Sequence, residues 1–338
     1  MLAELRAVHG ATVSVDVPLA PFTTIRTGGK CALLVTVEHP SAVVEVLGIL
    51  KAFAFPWSCL GAGSDLLVAD EGYSGAVIRL GGAFCYLEGL QPAPGSGPKP
   101  GSGTRASRGA PVAESVIAAA GAGTLLARFA AAAAEAGLAG LEFACGIPGS
   151  VGGGVATNAG AYGRSLADVL TEVRLATADG VWWVAAGELQ WEYRHCRLPA
   201  GVLVTAARFR LDRDDPTGIL ERNCSILEMR RSVQPQGVLT FGSSFKNPSG
   251  GAAGRLLEAA GLKGERRGGA EVSRVHANFV VNLGDASTAD VLTLLIHMRE
   301  RVHETSGVWL EPEVRLLGAS FPWESSAGGS GPRPSADG

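Results

Sequence analysis

Apolar and polar positions along the chain follow two alternating periods. Residues 41–52 (SAVVEVLGILKA) repeat apolar side chains at helical spacing, and 125–136 form an alanine-rich helix. Residues 57–68 hold a strand, a tight glycine turn and the apolar run 66–68. In 169–184 two β-rich runs flank Asp179-Gly180, which predicts a hairpin, and 201–211 is a further strand. Beyond residue 213 the order changes. Residues 218–231 and 252–260 are helical, 278–283 is a strand, Ser287-x-x-Asp290 caps a helix reaching Thr305, and 308–317 closes as a strand. The pattern predicts an α+β protein with a cofactor region over 1–213 and a smaller α/β domain over 214–318.

Two low-complexity segments stand outside this pattern, 91–112 (QPAPGSGPKPGSGTRASRGAPV) and 325–338 (SSAGGSGPRPSADG). Neither composition can bury a core. The first reads as an expanded surface loop inserted in the cofactor region. The second reads as part of a disordered tail over 319–338.

Composition narrows the partners. Of 338 residues, 46% are hydrophobic and 18% charged, which describes a well-buried globular protein. The net charge is −3 and no basic block occurs, so neither nucleic acid nor an acidic membrane is an expected partner; a small molecule is. Glu4 and Arg6 interrupt the only stretch that could be an apolar signal core, and no run has the length of a membrane span. A cytoplasmic monomer is the expectation. The six cysteines (Cys31, Cys59, Cys85, Cys145, Cys196, Cys224) form no CxxC and have no histidine at ligand spacing, so free thiols and no metal site are expected.

Candidate chemistry concentrates in glycine-rich sequence. Residues 143–163 read FACGIPGSVGGGVATNAGAYG, with seven glycines and no charged side chain. Such density suits a backbone that must adopt positive φ or lie directly against a ligand. A flexible linker is the plain alternative, but Ile147, Val151, Val155 and Tyr162 bring apolar anchors that Gly/Ser linkers lack. Two further turns, 60–67 (LGAGSDLL) and 120–126 (AGAGTLL), share a GxG step followed by a hydroxyl residue. Either alone reads as an ordinary turn between strands. Together with the long glycine run they fit three backbone loops offering N–H groups and hydroxyls to a pyrophosphate. Neither completes GxGxxG and no acidic residue follows at ribose-binding distance, which disfavours a Rossmann fold.

Three downstream constellations add reactive groups: Tyr193-Arg194, GSSFKNP at 242–248 and LEPEV at 310–314. Arginine stabilises a developing oxyanion, and serine or glutamate can hold and deliver a proton. Singly, Ser243 could be a turn residue, Arg194 a surface ion-pair partner and Glu313 a solvent-facing strand residue. Their co-occurrence, with Lys246 as one of only five lysines, favours chemistry.

These motifs, together with TTIRTGG (23–29), LGAGSDLLV (60–68), AGRLLEAAGLKG (253–264) and VSRVHANF (272–279), resemble the UDP-N-acetylenolpyruvoylglucosamine reductase (MurB) family. The likeness spans roughly 17–318 apart from the inserted loop, and the short interval from Arg194 to Ser243 matches the compact type without an inserted tyrosine loop. The resemblance implies a flavoprotein fold of the vanillyl-alcohol-oxidase (PCMH) type, a two-part cofactor region with a smaller α/β substrate-binding domain. It implies FAD held non-covalently, NADPH as hydride donor, and reduction of UDP-N-acetylglucosamine enolpyruvate to UDP-N-acetylmuramate for peptidoglycan.

Carried over residue by residue, the resemblance makes Ser243 the proton donor and has Arg194 and Glu313 bind and polarise the enolpyruvyl carboxylate. Glu313 must then be protonated or water-bridged. Lys246, Asn247 and Tyr162 would hold the substrate, and Tyr193 would position Arg194. Gly61, Gly63, Ser64, Asp65, Leu66, Gly123, Ile147, Gly149, Ser150, Gly153, Gly154, Asn158, Ala159 and Gly160 would bind the cofactor. Departures from the family pattern are Asp65 in the usual GGGSN, Cys196 in the usual YRxS, Ser244 for an apolar residue and Arg274-Val275 for Glu-Lys. A flavin oxidase or dehydrogenase with another substrate, and an inactive flavin-binding protein, are the alternatives; the intact YR, GSxFKNP and LEPEV motifs argue against both.

Overall fold

The computed structural model of the protein describes residues 1–91 and 114–324. Residues 92–112 of the expected loop and 325–338 of the expected tail lie outside the described residues. The chain divides into two compact units: Met1–Asp16, Leu33–Ser64 and Gly75–Gly237 form one, and Val17–Ala32, Asp65–Ser74 and Val238–Gly338 the other.

The first unit holds two hydrophobic cores. One lies under helix Pro40–Ala52, where Val43, Val46, Leu47 and Leu50 recur at helical spacing and are all buried. The helix covers a sheet ordered Ala11–Pro18, Lys30–Val37, Tyr73–Leu80, Trp57–Cys59. The other core fills the space between helix Leu126–Glu135 and an antiparallel sheet whose path is Gly180–Ala185, Leu170–Thr177, Leu203–Arg213, Ser115–Gly121, Leu87–Glu88. Phe129 of that helix meets Phe209 of the central strand edge to face at 4.9 Å. The predicted hairpin forms with Thr177 opposite Gly180, and Lys51 ties its Asp179 to the first core's helix at 3.0 Å.

The second unit has one core. Val291, Leu294, Leu295, Met298 and Val302 of helix Thr288–Ser306 pack with helix Ala253–Ala259 over a three-stranded sheet, Arg266–Arg267, Ala270–Val272, Val280–Asn282. The predicted cap at Ser287 is a complete capping box. Asp70 adds a second acid at the same helix start, accepting from the N–H groups of Thr288 and Ala289 at 2.8 Å each. Strand Leu66–Val68 runs parallel to Arg315–Leu317.

Four differences from the expected pattern stand out. The compact units do not part at 213/214: helix Pro216–Val233 belongs to the first unit, where Ile219 is buried and Arg222 pairs with Glu142 at 2.9 Å and Asp214 at 2.6 Å. Nor is 1–213 continuous in space. Segments 17–32 and 65–74 join the second unit because Asn282 Nδ2 donates to Ile25 O and Thr288 Oγ1 to Val68 O. The tail does not begin at 319, since Phe321 is 3% exposed and stacks on Trp323. Within 308–317 only Arg315–Leu317 is strand; Pro312 has no N–H for a ladder, and the Trp309 ring is drawn onto His303 at 3.8 Å.

Candidate functional site

In the first unit, a cavity of about 160 Å³ opens where the turn after strand Trp57–Cys59 meets the glycine run. Gly61, Gly123, Ser150 and Gly153, all predicted cofactor residues, line it together with apolar walls from Ile78, Leu80 and Leu125. Main chain rather than side chain forms the glycine walls. A Cβ on Gly61 would stand 2.4 Å from Ser150 Oγ, so only glycine leaves this cradle open. Full ligand sites enclose roughly 300–1,000 Å³, so the cavity has room for one portion of such a ligand. Apolar faces over bare backbone fit a flat ring system such as a flavin. Arg79 is the one charged side chain among the described lining residues, a cation suited to a phosphate. Sequence reasoning did not single out Arg79, which lies inside an ordinary strand pattern.

The remaining predicted cofactor residues divide. Ser64 Oγ donates to Pro148 O at 3.0 Å and lies 3.3 Å from where a Gly149 Cβ would be, so the first glycine turn and the long run touch at Ser64 and Gly149, next to Gly63. Asp65 and Leu66 fall in the second unit, where Arg315 N donates to Asp65 O and Leu66 pairs with Arg315. Ile147 packs against the second core of the first unit, and a Cβ on Gly154 would meet Leu126 at 2.8 Å and Leu166 at 2.9 Å; both serve packing. Ala159 is buried, and Gly160 pairs with Ser165.

The second glycine turn does not display amides as its pattern suggests. The N–H groups of Gly121, Ala122, Gly123 and Thr124 donate to the carbonyls of Tyr86, Thr205, Phe84 and Gly121, and the Thr124 hydroxyl donates to Tyr86 O. At the start of helix Val151–Ala156 the N–H groups of Val151, Gly152 and Gly153 are likewise engaged, by Thr124 O, Ala122 O and Ser150 Oγ. Glycine here serves close packing more than anion capture.

Two tight hairpins of the first unit carry predicted substrate residues. Tyr162 and Gly163 link Gly160–Ala161 to Arg164–Ser165 with φ of +55° and +76°, the signature of a type I′ turn. Gly163 suits it; Tyr162 is held in the left-handed region with 47% of its surface exposed. Tyr193 and Arg194 link Gln190–Glu192 to His195–Arg197, with Arg194 at φ +60°. Each bulky left-handed residue costs of order 1 kcal/mol, and such strain gathers at functional positions. Arg194 Nη1 donates to Gly160 O at 2.5 Å, and its guanidinium lies 5.5 Å from the Tyr193 ring centroid. Cys196 is buried opposite Trp191, and burial pushes its thiol up to about 11, so it stands neutral in place of the family serine.

In the second unit, Ser243 and Glu313 share one short irregular sheet. Ser243 bridges to Phe279, Ser244 N donates to Asn278 O at 2.7 Å, Glu313 N donates to Ser244 O at 2.9 Å, and Lys246 N donates to Glu311 O at 2.8 Å. Segment 243–246 is therefore the middle of three extended stretches. Asn278, 4% exposed, clamps it: Oδ1 accepts from Phe245 N at 3.0 Å and Nδ2 donates to Phe245 O at 2.8 Å. Ser243 is half-buried, whereas Ser244 is fully buried and its hydroxyl has no hydrogen-bond partner among the described residues. Lys246 pairs with Glu311, and Asn247 Oδ1 accepts from Ala253 N at the start of helix Ala253–Ala259.

A larger cleft of about 450 Å³ in the first unit, around Arg164, Asp168 and Arg210, holds none of the predicted residues. Arg164 and Asp168 pair with each other across 3.6 Å.

Comparison with known proteins agrees with this geometry. The profile of the FAD binding domain family matches residues 31–185, and that of the UDP-N-acetylenolpyruvoylglucosamine reductase C-terminal domain matches 234–317, starting beyond helix Pro216–Val233. The UDP-N-acetylenolpyruvoylglucosamine reductase of Anaeromyxobacter dehalogenans (strain 2CP-C) is 43% identical over 313 residues, 93% of this chain and 88% of that protein. The reductase of that name from Bacillus subtilis (strain 168) is 35% identical over 326 residues, 95% and 99% of the two chains. The crystal structure of the Thermus caldophilus UDP-N-acetylenolpyruvylglucosamine reductase (MurB) superposes with a TM-score of 0.73 at 36% identity, covering 91% of this chain and 98% of that one. With glycine-walled cavity, tyrosine-arginine hairpin and serine–glutamate sheet in place across that length, the chain belongs to the UDP-N-acetylenolpyruvoylglucosamine reductase (MurB) family.

Proposed function

We propose that this protein reduces UDP-N-acetylglucosamine enolpyruvate to UDP-N-acetylmuramate with NADPH. The observation that carries the reading is the 43% identity over 93% of the chain to a reductase of that name, with Arg194, Ser243 and Glu313 all present. Bound FAD would supply the redox chemistry that links NADPH to the enolpyruvyl group. The main chain at Gly61, Gly123 and Gly153, with the Leu125 and Ile78 walls, would hold part of the cofactor and keep water from it, and Arg79 would balance phosphate charge.

The chain's own groups do the rest. Arg194, at a left-handed φ and flanked by the Tyr193 ring, binds the substrate carboxylate and steadies the charge that develops there. Ser243 holds the proton that the adjacent carbon receives, and Glu313, on the neighbouring stretch, polarises the same carboxylate. Ser244 does not serve as the acid because its hydroxyl is sealed in the core. Lys246, Asn247 and Tyr162 hold the sugar nucleotide. The reading carries with it a cytoplasmic monomer without nucleic-acid or membrane partners, in keeping with the net charge of −3; among the described residues no helix is long and apolar enough to cross a membrane. Light scattering of the purified protein tests the monomer.

The deciding experiment is an anaerobic visible spectrum. NADPH should bleach the flavin band and the enolpyruvyl substrate should restore it. Bleaching without recovery would point to a flavin enzyme with another substrate, and no bound flavin after reconstitution with FAD would overturn the reading altogether.

A further inference from the structure

Asn158, within the glycine run, stands at φ +42° with 8% of its surface exposed, and both ends of its amide are committed inside the first unit. Oδ1 accepts from Ala167 N at 3.1 Å, which fixes the amide's orientation, since only the oxygen can face that N–H. Nδ2 therefore faces Glu192 O and donates to it at 3.0 Å. Glu192 is the last residue before the Tyr193-Arg194 turn and pairs with His195 across it. Two residues further along each segment, Arg194 Nη1 donates back to Gly160 O. The run 158–160 and the hairpin 192–194 are thus laced at base and tip, by one side chain from each. Asn158 is absent from the described residues that line the glycine-walled cavity. An amide suits this position because one group must donate and accept at once; aspartate cannot donate to Glu192 O, and alanine does neither.

We propose that Asn158 is a positioning residue for Arg194: it sets the base of the hairpin and so the aim of the guanidinium at the substrate's carboxylate, and it is not a cofactor ligand. The proposal rests on the reading of Arg194 given above. Asn158→Asp is isosteric, keeps the acceptor for Ala167 N and replaces the donor to Glu192 O with an opposed oxygen.

The test compares Asn158→Asp, Arg194→Ala and the double variant in three measurements: FAD affinity by flavin fluorescence quenching, bleaching by NADPH, and reoxidation by the enolpyruvyl substrate over a range of its concentration. UDP-N-acetylglucosamine, which lacks the carboxylate, serves as a control ligand. Asn158→Asp should leave FAD affinity, bleaching and control-ligand affinity within about twofold of the parent while the substrate concentration for half-maximal reoxidation rises roughly tenfold, with almost no added effect in the Arg194→Ala background. A roughly tenfold loss of FAD affinity with normal reoxidation would make Asn158 a cofactor residue and overturn the proposal. Additive losses in the double variant would also overturn it, by showing that Asn158 acts without Arg194. Unchanged reoxidation in Arg194→Ala would remove the reading of Arg194 itself, and the proposal with it. If Asn158→Asp does not fold, Asn158→Ala is put through the same comparison.

Discussion

In the first unit Arg194 stands at the tip of a two-residue hairpin, in left-handed backbone, tied down by the side chains of Asn158 and of Arg194 itself. In the second unit Ser243 and Glu313 sit on neighbouring extended stretches joined by main-chain bonds and backed by the buried amide of Asn278. A tip held by two side-chain bonds can be re-aimed by a single substitution without loss of the fold. A ladder clamped from the core cannot, because its geometry and the stability of the unit are the same set of bonds. Substitutions beside Arg194 should therefore change substrate handling, and those behind Ser243 should change stability as well.

The largest expected effect is at the ladder's working group. Ser243→Ala should leave bleaching by NADPH intact and slow reoxidation by the enolpyruvyl substrate by about 10²–10⁴-fold, the usual worth of a positioned acid, as stopped-flow absorbance will record. Equal loss in both half-reactions would assign the acid elsewhere. Next, Asn278→Ala orphans both main-chain groups of buried Phe245 and should lower unfolding stability by about 3 kcal/mol in urea titrations. A stability change near zero would erase the contrast between the units.

A smaller effect is expected at the far end of the Glu313 stretch. Arg299 lies between the rings of Trp309 and Trp323, 4.3 and 4.4 Å from their centroids, and its Nε donates to Leu310 O. Trp323→Ala should cost about 1 kcal/mol of stability, whereas Trp323→Phe should recover most of it. The smallest effect is a pH dependence. His276 Nδ1 accepts from Asn278 N, and burial, aided by the charge of Lys263 and opposed by Glu258, holds the imidazole below its ordinary 6.5. The unfolded chain takes up a proton as pH falls through 6.5 while the folded one resists, so this stability is fully present above 6.5 and is lost below it. The urea midpoint should fall between roughly pH 7.5 and pH 5, and His276→Asn, which keeps an acceptor at the Nδ1 position, should flatten that part of the profile.

Sequence alone determined the elements with strong local signals. Helix Pro40–Ala52 follows from its apolar spacing, the Thr177–Gly180 hairpin from Asp179-Gly180, and helix Thr288–Ser306 from its capping box; each signal acts over a few residues of chain. It also determined which reactive types are present, since the YR, GSxFKNP and LEPEV motifs need only be read. Tertiary structure decided which of those groups meet. Asp65 and Leu66 read as one motif with Gly61–Ser64 yet pair with Arg315, the turn at Gly123 reads as an anion-binding loop yet has its amides engaged, and Asn158 reads as a cofactor residue yet bonds to Glu192. Phe321 and Trp323, beside a low-complexity end, are held by a core and a stack that no local pattern marks. The reason is the same in each case: a residue's backbone preference is set by its neighbours in sequence, whereas its hydrogen-bond and packing partners are set by segments tens to hundreds of residues away.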